Sequence, residues 1–344
     1  VIDFRYHLVS IIAIFLALAV GLVVGATSLS GPVETALSKA EKAVTDANNN
    51  LRAHNDLLKR QVSNGEAFAQ AGSDRLLGGL LTGEDVAVIA APNVTNSMTS
   101  GVISTLEQAG AKVTAQVQLQ PNFVATAGPI ESSLTDLARL LSTQFSVSLP
   151  SNALYPAQAG QQQAAALIAA SVVSKNGIGL APATSQAILS GFASRGFLQV
   201  VKAPSAASPA TVAVLLTPAG ALPTPQSQAL VAVAAELKPV SAATVMAGGV
   251  SPVNASNAVT VEASVGTVST VDNADTENGG IMVAQALREL LDGKPVAAYG
   301  IEPGAVPSPA PTPSSTTTST GGSPSSSGSP STSRSPSSSP SKRT

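Results

Sequence analysis

The chain has 344 residues and a formal net charge of −2; 44% of it is apolar, 11% charged and 3% aromatic, and it has no cysteine. A near-neutral, ring-poor chain offers neither the basic field nor the stacking platforms that nucleic acid needs, so no nucleic-acid partner is expected. The missing cysteine excludes disulfides, thiolate metal sites and cysteine nucleophiles together, while the apolar share suffices for a sizeable core.

In chain order, Leu8 to Leu29 comes first, LVSIIAIFLALAVGLVVGATSL, without a charge. At about 1.5 Å per residue it covers roughly 33 Å, enough for a hydrocarbon core of about 30 Å, which predicts a transmembrane anchor in residues 1–30. Gly21 and Gly25 form a G-x-x-x-G, a packing motif of membrane helices. Arg5 precedes the apolar run and no positive charge follows it before Lys39, which places the N-terminus in the cytoplasm and the bulk of the chain outside. A signal peptide cleaved at Val24-Gly25-Ala26 is the rival reading, although the run is longer than the usual stretch of about 7–15 residues. On either reading the remainder is exported; with the anchor retained, the bilayer is the first partner and the cell envelope the location, with inner or outer membrane left open.

Residues 31–82 predict a coiled-coil stalk. Pro32 suits a first helical turn. Leu37, Val44, Leu51 and Leu58 recur every seventh residue, and Val33, Ala40, Ala47 and His54, followed by Gln61, make the companion series. Such a seam implies a homo-oligomer. His54 reads either as a tolerated polar seam residue or as a metal or proton site where two copies meet. Leu76, Leu77, Leu80 and Leu81 are placed to dock the stalk on the next domain.

Residues 83–302 predict an extracytoplasmic α/β domain with a largely parallel sheet. Val86 to Ala90 reads as a buried strand, Thr95 to Gly110 as a helix, and Lys112 to Leu119 as a second strand. The order recurs in Val212 to Leu216, a helix from about Pro225 to Leu237, and Ala243 to Met246. A third candidate runs through Ile178, a helix over Ser185 to Ser194, and Phe197 to Val201. The similar halves suggest a duplicated unit. Short strands interleaved with helices, and so few aromatics, argue against a membrane β-barrel. Residues 303–344, almost entirely Pro, Ser and Thr, predict a disordered tail.

Motifs for chemistry are sparse. Val268 to Gly280, VSTVDNADTENGG, crowds Asp272, Asp275 and Glu277, which could hold a hard cation but lack EF-hand spacing. The alternative is a turn and N-cap cluster leading into a helix over Ile281 to Leu291. No phosphate loop and no G-x-S-x-G elbow is present. His7 and His54 are the only histidines, and both precede the α/β domain, which argues against Ser-His-Asp catalysis there. Neither a catalytic site nor a cofactor is expected, and the chain reads as a non-enzyme.

The opening Asp3-Phe4-Arg5-Tyr6-His7-Leu8-Val9-Ser10, running into AIFLALAVGLVVG, resembles the N-terminus of the mycobacterial copper transport protein MctB family. The stretch VSTVDNAD, the pair Gly279-Gly280, and Gly293 through Tyr299-Gly300 resemble that family's C-terminal signature. The resemblance implies a channel-forming envelope protein with a role in copper transport or resistance, and copper ions as its cargo. A related branch, SteB, implies instead a structural protein that scaffolds or regulates a cell-wall enzyme or its regulator. The residues themselves limit the first idea. Copper(I) selects thiolates and thioethers and copper(II) imidazoles, whereas here Met98, Met246 and Met282 are scattered. Copper would therefore pass through a pore made by assembly, or act indirectly, rather than sit in a tight intrachain site.

Overall fold

The computed structural model describes residues 4–309 apart from 127, 176, 178, 253 and 254, and for residues 26–34 the backbone alone. The chain opens with one unbroken helix, α1 (Phe4–Leu77), of 74 residues. At about 1.5 Å per residue it extends about 110 Å. Its first part, Phe4–Gly25, is long and apolar enough to cross a membrane, and no part of it is buried against the rest of the chain. This begins earlier than the Leu8 to Leu29 run read from sequence, because Phe4 and Tyr6 already join the helix.

A turn at residues 78–83 leads into alternating strands and helices. These are β1 (Asp85–Ala90), α2 (Asn96–Gln108), β2 (Lys112–Leu119), α3 (Gly128–Phe145), α4 (Ala159–Val172), α5 (Pro182–Ser194) and β3 (Leu198–Lys202). The second half comprises β4 (Val212–Thr217), α6 (Thr224–Val240), β5 (Ala243–Gly248), α7 (Ala258–Val265), β6 (Ser269–Val271), α8 (Glu277–Leu291) and β7 (Ala298–Tyr299). The strands form one sheet in the order β3-β2-β1-β4-β5-β6-β7. Every pairing is parallel except β2 with β3.

Alternation along the central strands divides the core into two layers. Ala87, Ile89, Ala213 and Leu215 face one side, with Leu134 of α3, Leu167 of α4, Ile188 of α5 and Val231 of α6. Val86, Val88, Val212 and Val214 face the other, with Val102 and Leu106 of α2, Val283 and Leu287 of α8, and Leu77 at the end of α1. Runs apolar at every position are what a strand needs when helices cover both its faces.

Local signals account for the element ends. Thr95 caps α2, its hydroxyl accepting from the Met98 N–H at 3.2 Å. Gly110 ends that helix at φ +90°, where a Cβ would also press on Thr82.

The first and second strand–helix–strand units form as expected and lie on opposite sides of the β1–β4 junction. The third is corrected. Ile178 lies outside the described residues, and the strand after α5 runs antiparallel at the sheet edge rather than extending the parallel series. Pairing also continues past residue 302: the Val306 N–H donates to the Ala298 carbonyl at 2.8 Å and the Gly300 N–H to the Val306 carbonyl at 3.0 Å. Of the stretch 303–344 expected to be disordered, residues 310–344 lie outside the described residues.

Candidate functional site

The heptad residues lie on the part of α1 that precedes its packing on the domain. Leu37, Val44, Leu51 and Leu58 are all exposed, Leu51 by 72%. Ala40, Ala47 and His54 are exposed with them; the Val33 side chain lies outside the described residues. A Cβ placed on Gly21 or Gly25 would meet open space. Among the described residues, then, these positions form an exposed stripe along α1.

The lower end of the stalk is fastened to the domain. Ala69, Leu77 and Leu81 are buried in the layer that also holds α2 and α8, while Leu76 remains half exposed. Gln108, at the end of α2, donates through Nε2 to Ser73 Oγ at 2.9 Å and to Asp74 Oδ1 at 2.6 Å. The Leu81 N–H donates to the Ala109 carbonyl at 2.8 Å. At the other side of the joint, Glu66 Oε2 accepts from the Glu277 N–H at 2.6 Å. Its carboxylate thus sits at the N-terminus of α8, where unsatisfied N–H groups and the helix dipole favour negative charge.

The acidic loop serves the same region of the fold. Thr276 caps α8, accepting from the Gly279 N–H at 3.0 Å. Gly279 is obligatory, because a Cβ there would overlap the Asn273 carbonyl. Asp272 is buried, and its two oxygens accept from the Ile301 and Glu302 N–H groups at 2.8 Å each. Gly300, at φ +134°, lets the backbone pass so close that a Cβ would overlap this carboxylate. Asp272 therefore latches the segment after β7 to the carboxyl end of β6. Burial pushes its carboxyl above the ordinary range; the two N–H donors oppose this, and nearby Glu302 and Asp275 add to it.

Asp275 and Glu277 are exposed. Among the described residues, no three His, Asp or Glu side chains group in a way that could hold a metal ion. What the loop provides in the structure is the Thr276 cap on α8 and the Asp272 latch. A cleft of about 780 Å³ adjoins the latch, with Ser251, Thr260, Thr270, Ile301 and Glu302 in its walls. Glu302 is itself engaged, its Oε1 accepting from the Ser251 N–H at 2.7 Å.

The three thioethers are enclosed: Met246 lies in one core layer, and Met98 and Met282 in the other. His7 and His54 stand exposed on α1. Two further buried carboxylates were not foreseen from sequence. Glu262 accepts from the Val268 N–H at 2.7 Å. Glu289 pairs with Lys294 at 2.8 Å and accepts from the Tyr299 hydroxyl. Burial first, and then Glu289, raises the Tyr299 pKa. Both carboxylates bind neighbouring loops to the fold.

Against this geometry stand the relationships of the chain to known proteins. The family model described as "Copper transport outer membrane protein, MctB" matches residues 1–309. Proteins named copper transporter MctB from Mycobacterium bovis and Mycobacterium tuberculosis are each 29% identical over 318 residues, covering 89% of this chain and 98% of theirs. The protein of that name from Mycobacterium leprae is 28% identical over 319 residues, covering 88% and 98%.

Proposed function

Because the chain belongs to the MctB family, we propose that it acts in copper transport or resistance at the cell envelope, as an oligomer held together by its stalk. The apolar segment Phe4–Gly25 anchors it in a bilayer, with the N-terminus cytoplasmic and the α/β domain beyond the membrane. The carrying observation is the unbroken passage of one helix from that apolar segment into an uncovered heptad seam. Such a seam pairs most simply with copies of itself, which brings several anchors together in one membrane patch.

Copper is cargo in this reading. The methionines are enclosed in the core and the histidines lie only on α1, so the ion passes between assembled copies rather than lodging in one chain. No catalytic step is assigned to the domain, which stands on the stalk as a rigid head.

The test is conductance by the purified full-length oligomer in planar bilayers, with detergent-only controls and copper as the permeant ion. Reproducible unitary currents are expected. Their absence, with the oligomer intact, removes the channel and leaves the stalk as a scaffold for a cell-wall enzyme or regulator, which co-purification from membranes would identify.

A further inference from the structure

We propose that the stalk pairing continues beyond the heptads read from sequence into a glycine-walled layer, in which Phe68 of one chain seats between Gly65 and Gly72 of a second copy. This rests on the stalk pairing proposed above and extends it to the joint with the domain.

The register runs on without a break. Sevenfold spacing carries Leu51 and Leu58 to Gly65 and Gly72, and His54 and Gln61 to Phe68. Phe68 is 81% exposed, as much as Phe4 at the start of the membrane-spanning segment, although it lies next to the folded domain. It stands apart from Ala69, Ser73 and Leu77, the face of α1 that is buried. Docking on the domain therefore leaves the ring free.

Among the described residues, no neighbour requires either glycine. A Cβ on either would meet open space, and neither has a positive φ. Gly110 and Gly279 differ, since there a Cβ would strike a neighbour. Glycine is the poorest helix former after proline, so two of them in mid-helix, one turn to either side of an exposed ring, point to something that approaches from outside.

Knobs-into-holes packing says what that is. A knob enters a hole of four residues on the facing helix, which for Phe68 is the set Gly65, Phe68, Ala69 and Gly72. With Ala69 turned to its own domain and Gly72 half-buried beside it, the walls are the two glycines, Gly65 the more exposed, and the partner ring. Leucines at those two positions would fill the space a phenyl group needs. One patch supplies both ring and hollow, the self-complementarity of a two-fold contact, and this singles out a second copy over a different helix.

The experiment measures association of the full chain in micelles by sedimentation, for the natural sequence, F68A, G65L/G72L and the triple variant. F68A and G65L/G72L should each raise the dissociation constant about tenfold or more. The triple variant, which replaces the layer by ordinary leucine packing, should return to within about threefold of the natural chain. Alanine and leucine favour helix, so loss of α1 does not confuse the result. If G65L/G72L leaves the constant unchanged or lowers it, the hollow is empty and the proposal fails. Disulfide formation by A40C and A47C reports the upper seam separately. Crosslinks there with an indifferent G65L/G72L discard this layer alone, whereas no crosslink in the otherwise natural chain discards the stalk pairing and the layer with it.

Discussion

The stalk and the sheet domain put the same side chains in opposite circumstances. Leu51 stands 72% exposed on α1, while Leu215 in β4 is fully enclosed. Each buried leucine is worth roughly 1.5–3 kcal/mol to the domain, and the domain obtains this from its own chain. The stalk obtains none until something covers it, and a long helix without tertiary packing is marginal in water. The difference teaches that exposure has to be read against pattern. A lone exposed leucine on a domain surface is ordinary, but four apolar residues at sevenfold spacing along one exposed helix face are the pattern that a helix interface requires.

The contrast can be broken most severely at its centre. Leu215→Ala should cost the domain about 2–5 kcal/mol in denaturant unfolding, whereas Leu51→Ala should leave domain unfolding within about 0.5 kcal/mol and weaken self-association instead. Equal losses of domain stability would show that the stalk is not independent of the fold. Next in size, Gly300→Ala should destabilise the domain by about 1–3 kcal/mol, because alanine resists the backbone angle and meets the Asp272 carboxylate. A neutral result in thermal melts would mean that the latch is not closed in solution.

A smaller effect tests the joint between the two regions. Glu66→Gln removes charge from the N-terminus of α8, and about 0.3–1 kcal/mol of domain stability should go with it. Salt titration checks the cause, since the difference between variant and natural chain should shrink at high ionic strength.

The smallest effect concerns pH. Burial holds the carboxyls of Glu262, Glu236 and Asp272 above their ordinary range, against the donors that face each of them. A raised carboxyl contributes stability that is complete below its ordinary value near about 4 and is lost as pH rises through the raised value. The domain should therefore melt higher at about pH 5 than at about pH 7, and Glu262→Gln should flatten that slope. Asp292, held low by Arg288, works in the opposite sense and at more acid pH. A melting temperature that falls from about pH 7 to about pH 5 would reverse the assignment.

Much of the fold was legible. The strand runs Val86 to Ala90 and Val212 to Leu216 announced themselves by unbroken apolar residues, and the acid-rich turn before Ile281 announced a helix start. The helix α4, AGQQQAAALIAASV, did not, because Gln161 and Gln162 are buried and erase any amphipathic period. The strands β6 and β7, of three and two residues, are too short to show alternation. The helix that carries the sevenfold spacing was readable because periodicity is local. The hydrogen bond from the Glu277 N–H to Glu66 joins residues 211 apart, and nothing in either neighbourhood foretells the other. The Asp272 latch depends likewise on a backbone that folds back across it.

One feature of α1 reaches beyond packing. Because α1 is one helix from the apolar segment to the residues fastened to α8, the rise between them and the bearing of the domain about the helix axis follow from residue count. Roughly 40 residues intervene, about 60 Å of rise. Adding one heptad would lift the head about 10.5 Å with nearly the same compass direction, whereas adding two residues would swing it by about 200°. On the membrane anchorage proposed above, α1 would serve as a measuring rod, and changes in its length would ask how far from the bilayer the domain has to work.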